Sequence, residues 1–232
     1  MTTDVKLVCP ICGGIGVSEM DILWPELIEA WNLTLDEVLL INRQQGQCCL
    51  QCGSNLRSRT LAGAINECFS WPGTLRDLVN QPNTSQVRLL EINEAGNLSY
   101  YLHRFRKYEF ASYPDVDMQR MDLPSDIYDI VVHSDTLEHI PNPVLGLQEC
   151  RRILRPKGRM LMTIPIVPTR LTRRRDNMPL SYHGNPAEKS SDFIVCTEYG
   201  ADFYIDMVAA GWKNISLYTL GSLDSLAIIG TK

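Results

Sequence analysis

The 232-residue chain is short of several features that would classify it at once. No apolar run approaches the roughly 18 residues that a membrane-spanning helix needs. Its first ten residues, MTTDVKLVCP, hold no apolar signal core, so the chain is expected to stay in the cytoplasm. Positive charge is not in excess: 22 Lys and Arg stand against 27 Asp and Glu, a formal net charge of −5. Affinity for nucleic acid draws on basic surface, so a general nucleic-acid binder is disfavoured. No serine sits in a nucleophile elbow and no cysteine in a nucleophile setting. What remains is a chain with the size and ordinary composition of one α/β domain plus a small module.

Cysteine is plentiful, and unevenly placed. Five of the eight lie between residues 9 and 52. Cys9-Pro-Ile-Cys12-Gly13 and Cys49-Leu-Gln-Cys52-Gly53 are two similar Cys-x-x-Cys-Gly turns. A two-residue gap lets both thiolates of a turn face one ion, and the following glycine permits the tight backbone that aims amides at the sulfurs. Together the turns predict a closed tetrahedral site of Cys9, Cys12, Cys49 and Cys52, resembling zinc-ribbon knuckles. Redox-active thiols are the other reading of such spacing. Four thiolates leave zinc no open position, so its role would be structural. Helical patterns at Pro25–Trp31 and Leu35–Asn42 interrupt the ribbon. Cys68, Cys150 and Cys196 fall in apolar patterns and read as buried small hydrophobes. A helix over 54–69 leads out of the module, giving expected domains at 1–70 and 71–232.

Residues 126–165 carry the most information. Asp129 to Val132 is a buried strand by pattern, followed by a polar loop from Ser134 to Pro141. Asn142 can cap a helix that has Pro143 at its first position. Val144, Leu147, Cys150 and Leu154 recur at helical spacing, and Arg159 to Ile164 is a second buried strand. A strand–helix–strand unit implies a parallel sheet, whose ligands bind beyond the carboxyl ends of its strands. The loop 133–139 sits there.

The run "YDIVVHSDTLEHIPNP…ECRRILRPKGRMLMTIP" resembles the fourth-to-fifth-strand region of class I S-adenosylmethionine (SAM)-dependent methyltransferases. Weaker pieces extend the resemblance over roughly residues 85 to 230. It implies a Rossmann-like α/β fold with seven strands ordered 3-2-1-4-5-7-6. The first would be 87–92, the second 108–111 and the third 118–121. A helix capped at Thr197 would run to Ala210, and strands at 212–219 and 225–230 would close the sheet.

The resemblance also implies a cofactor site. The family's first strand ends in an acidic residue and a glycine-rich turn. Here Glu91 and Gly96 match, while Asn93 and Ala95 replace the first two glycines. Asp115, or Asp117, would take the ribose hydroxyls, though either reads equally as a solvated loop carboxylate. Asp122 and Leu123 match the adenine-contacting position, and His133 and Ser134 would flank the cofactor. His139 and His183 are the candidate proton acceptors; a Glu-His pair such as Glu138-His139 also commonly caps its loop. Arg170, Arg173, Arg174 and Arg175 form either a solvated basic face or a site for an acceptor's phosphate or carboxylate. The implied partner is a small-molecule or saccharide acceptor, methylated on oxygen. The defective glycine turn leaves open a non-catalytic scaffold. Modification of a protein or RNA docked through the zinc module is a further reading.

Overall fold

The computed structural model describes residues 8–182 and 191–232. Two short strands, β1 (Val17–Ser18) and β2 (Cys48–Cys49), pair antiparallel and bring the two cysteine turns together. Between them lie α1 (Pro25–Ala30) and α2 (Leu35–Gly46), as the helical patterns predict. Thr34 caps α2 in a capping box with Glu37. Helix α3 (Leu56–Cys68) follows the second turn, capped by Asn55.

The remaining elements run α4 (Leu75–Leu78), β3 (Arg88–Ile92), α5 (Ser99–Leu102), β4 (Lys107–Ala111), β5 (Tyr128–Ser134), α6 (Pro143–Ile153), β6 (Leu154–Thr163), β7 (Ile166–Val167), β8 (Arg173–Arg174), β9 (Thr197–Gly200), α7 (Tyr204–Ala209), β10 (Asn214–Thr219) and β11 (Leu226–Thr231). The main sheet has the order β10-β11-β6-β5-β3-β4. Strands β4, β3, β5 and β6 are parallel, and β11 and β10 close the sheet antiparallel. Strand β5 lies inside it, and Val131 and Val132 are wholly buried, as expected for a parallel strand covered on both faces.

Side-chain alternation sorts the strands into two faces. Leu90, Val131, Met160, Met162 and Ile228 pack with Leu147, Cys150 and Ile153 of α6 and Met207 of α7. Leu89, Ile130, Val132, Leu161 and Ala227 pack with Leu61 and Ile65 of α3 and Leu75 of α4. This second cluster also contains Cys9, Ile11, Cys12 and Cys49. The cysteine turns therefore sit on the same apolar layer as the sheet.

Two expectations are corrected. The sheet has six strands, not seven. Residues 118–121 form no strand, and side chains of α6 take the backbone groups of Met121. Met121 N–H donates to Glu149 at 2.9 Å, and its carbonyl accepts from Arg152 at 3.0 Å. Gln119 N–H donates to the Asp117 carboxylate at 2.9 Å. With those groups satisfied by side chains, no ladder is needed. The helix expected from Thr197 begins only at Tyr204; Thr197–Gly200 is instead a strand, parallel to β7 and antiparallel to β8. Buried Glu198, paired with Arg173 and Arg175, holds that segment extended. Cys150 is buried as expected, whereas Cys68 and Cys196 are only half-buried. No helix among the described residues is long and apolar enough to cross a membrane.

Candidate functional site

The two cysteine turns repeat one another bond for bond. Gly13 N–H donates to Cys9 O and Gly53 N–H to Cys49 O, both at 2.8 Å, and both glycines have positive φ (+79° and +69°). The four sulfurs lie within 4.8 Å of one another. Cys9 Sγ is 3.8 Å from Cys52 Sγ, and Cys12 Sγ 3.8 Å from Cys49 Sγ. Thiolates held about 2.3 Å from a zinc ion stand about 3.8 Å apart along a tetrahedral edge, so the cluster fits that ion. Burial raises the Cys9 and Cys12 thiols. Burial also opposes ionisation of Cys49, but backbone N–H groups of Cys52 and Gln51 outweigh it and bring that thiol down to about 7. Four sulfurs this close and this buried need a cation before all can be thiolates. Cys48 points away, toward the Gln45 carbonyl.

At the carboxyl end of the sheet, the turn after β3 and the loop after β5 meet. Glu91 is fully buried and accepts from Tyr108 OH at 2.7 Å, Ala95 N–H at 2.9 Å and the Ser99 hydroxyl. Its carboxylate shapes the turn from beneath. Asn93, at φ +56°, ties three strand ends together. Its N–H donates to Ala111 O at 2.8 Å, its Oδ1 accepts from Tyr113 N–H at 3.1 Å, and its Nδ2 donates to Thr136 at 3.4 Å. Asparagine tolerates this backbone better than most residues, which explains how the turn forms without the first glycine. Gly96 has φ +57°, and a side chain there would meet nothing nearer than Ser58 Oγ at 3.9 Å. Ser134 Oγ is 2.8 Å from Thr163 Oγ1, joining the ends of β5 and β6.

Asp135, within the expected loop but given no role of its own, completes this end together with Arg57 and Gln45. Asp135, at φ +49°, follows β5 directly. Its Oδ2 pairs with Arg57 at 3.0 Å, while its Oδ1 is buried without a partner. Burial raises this carboxyl to about 6, against the pull of Arg57. Arg57, in the first turn of α3, is itself buried and leaves its Nε unpaired. With its amide oxygen turned toward α3, Gln45 accepts from the same guanidinium. No spacing in the sequence links residues 45, 57 and 135.

The other expected site residues are more dispersed. Asp115 and Asp122 are exposed on the loops before β5, and the Leu123 carbonyl accepts from Arg152 at 2.7 Å. His133 is wholly buried on the α6 face with neither ring nitrogen bonded, and burial pushes it down to about 4. His139 Nδ1 lies 2.9 Å from Ile194 O and its Nε2 3.7 Å from Glu138, so its ring ties the loop to the segment before β9. His183 lies outside the described residues. Each of the four arginines is bonded to protein groups, with Arg175 buried and Arg173 still exposed. Arg170 grips Glu37 and the carbonyls of Trp31 and Asn32. Arg173 and Arg175 pair with Glu198, and Arg174 bonds Thr197 and the Pro141 carbonyl.

A parallel sheet closed by an antiparallel pair, with a polar site beyond its parallel carboxyl ends, defines an α/β domain of the cofactor-binding type. Residues 75–162 match a family described as a methyltransferase domain. No curated protein matches the chain. Among solved structures, a SAM-dependent methyltransferase of Thermotoga maritima is similar at 15% identity, covering 76% of this chain and 90% of that one, with a TM-score of 0.44. A SAM-dependent methyltransferase of Aquifex aeolicus is similar at 10% identity over 64% of this chain and 83% of that one (TM-score 0.41). PigF, solved with SAH (S-adenosylhomocysteine), is similar at 17% identity over 67% and 53% (TM-score 0.42).

Proposed function

We propose that the protein methylates a hydroxyl group of a small-molecule acceptor, with SAM as donor and a structural zinc ion on Cys9, Cys12, Cys49 and Cys52. The observation that carries this reading is the convergence of Asn93, Gly96, Ser134 and Asp135 at one end of the sheet, with buried polar atoms of Asp135 and Arg57 left unmet. Unmet buried polar atoms are costly, and a bound ligand that supplies their partners offsets the cost. When bound, SAM supplies a methyl group already activated on a sulfonium, so the protein's part is alignment and proton removal. Asn93, Gly96 and Ser134 would face the cofactor, with Asp115, Asp122 and Leu123 on the flanking loops. Glu91 holds the turn in shape, and His133 supports β5 from within. Asp135 is the proton acceptor placed nearest the strand end, and His139 positions its loop.

Calorimetric titration with SAM and SAH tests the reading. Micromolar binding of both is expected; no heat at millimolar ligand would leave a non-catalytic scaffold. If Asp135 takes the proton, kcat/KM rises with pH through about 6, the value to which burial raises its carboxyl. Asp135→Asn should abolish that limb of the profile and leave SAH affinity within about twofold. Metal analysis of the purified protein should return about one zinc per chain with an all-sulfur shell.

A further inference from the structure

The insertion between the cysteine turns has no part in holding metal, yet it builds one wall of a cavity. The cavity is about 240 Å³ in volume. Leu23, Trp24, Leu27 and Trp31 line it from around α1, and Pro165 to Val167 with Tyr199 line it from the sheet side. Pro165 lies two residues beyond Thr163, whose hydroxyl meets Ser134 at the end of β5. Gln45 also lines the cavity, and its amide continues through Arg57 to Asp135. The lining of the cavity thus connects, through Gln45 and Arg57, to the end of the sheet where the proposed methyl transfer takes place. Insertion and sheet are locked together around it. Arg170 and Thr169 bond Glu37, Gln44 Nε2 donates to Ile166 O at 3.2 Å, and Trp31 Nε1 donates to Ser181 at 2.8 Å.

Its lining separates the two acceptor classes. Among the described residues that line it, Gln45 is the one amide or charged side chain. The Trp31 indole N–H is bound to Ser181, and the Tyr199 hydroxyl donates to Asp206 at 3.1 Å. A saccharide would bring several hydroxyls into this space, each of which is costly to bury without a partner. A flat apolar ring meets no such cost, and two indoles and a phenol offer it edges and faces. A dry apolar cavity of about 150 Å³ suffices for benzene.

We infer that this cavity is the acceptor site, and that it takes the ring of a substituted phenol or similar aryl alcohol, with the hydroxyl turned toward Gln45, Arg57 and Asp135. The inference rests on the methyltransferase reading above and narrows its acceptor from small molecules in general to aryl compounds. The insertion would then be the specificity element, which accounts for the 36 residues between Cys12 and Cys49.

The test uses the full chain, with and without SAH, and two probes: 4-ethylphenol and methyl β-glucoside. Saturation-transfer NMR and calorimetry should show saturable binding of 4-ethylphenol and none of the glucoside. Leu23→Trp, which fills the cavity from its half-buried rim, should weaken 4-ethylphenol at least tenfold while SAH affinity stays within twofold. Val167→Trp fills it from the sheet side and should do the same, so a folding failure in one variant leaves the other. Saturable glucoside binding, no 4-ethylphenol binding up to its solubility limit, or undiminished 4-ethylphenol affinity in a correctly folded variant overturns the inference. Loss of SAH binding by the unmodified chain would overturn the cofactor reading instead. SAH binding with no 4-ethylphenol binding would overturn the acceptor inference alone.

Discussion

The cysteine turns and the carboxyl end of the sheet are both assembled from tight turns, but they are specified differently. Each cysteine turn carries its own ligands, its own glycine and its own backbone bonds, and the pattern repeats after 40 residues with the same 2.8 Å contact. The sheet end borrows from everywhere: Gln45 from α2, Arg57 from α3, Asn93 from the turn after β3 and Asp135 from the loop after β5. A site whose chemistry is local tolerates changes elsewhere. One whose groups come from four segments depends on the packing that delivers them. The two are nevertheless coupled, because α3 starts four residues after Cys52 and packs on the sheet.

That coupling sets the largest expected effect. Cys49→Ser should lose the metal and unfold the sheet as well, since Cys49 shares an apolar cluster with Leu61, Leu89 and Leu161. A single cooperative transition, lowered by on the order of 10 °C or more in differential scanning calorimetry, is the expected result. Two separate transitions with the second unmoved would show the regions to be independent, as a boundary at residue 70 implies.

Next comes the clamp between insertion and sheet. Hydrogen bonds from Arg170 hold the Glu37 carboxyl at about 2, against 4.5 for a free side chain. A depressed carboxyl stabilises fully above the unfolded value and loses that contribution as pH falls toward the folded one. The stabilisation, on the order of 3 kcal/mol, should therefore disappear between about pH 4.5 and pH 2. Urea titrations of Glu37→Gln should show the loss already at pH 7 and a flatter acid limb. An unchanged acid limb would remove the clamp from the account.

Gly96→Val probes the sheet end alone. The residue is at φ +57° with open space beside it, so the strain would be in the backbone and not in crowding. SAH affinity should fall about tenfold, or about 1.4 kcal/mol, with little change in global stability. The smallest effect belongs to Asp117→Ala. Asp117 is exposed and bonds only Gln119 and a local turn, so SAH affinity should stay within about twofold in calorimetry.

Much of this protein was determined by residues close together in the chain. The paired Cys-x-x-Cys-Gly turns, the Asn142-Pro143 start of α6, and the apolar runs of β3, β5 and β6 each follow from spacing, capping and side-chain shape. Tertiary structure decided the rest. Residues 118–121 have the pattern of a strand, but Glu149 and Arg152 reach across from α6 and take the backbone groups of Met121. Thr197 has the pattern of a helix cap, but Arg174 claims its hydroxyl and two more arginines claim Glu198. Four arginines that look like a patch are drawn to partners on other elements: Arg170 to Glu37, Arg173 and Arg175 to Glu198, and Arg174 to Thr197. Asp135 and Arg57, 78 positions apart, become a pair only when α3 lies against the sheet. Local pattern can settle hydrogen bonds that close within a turn. Where a buried polar group must find its partner on another element, only packing says which one it will be.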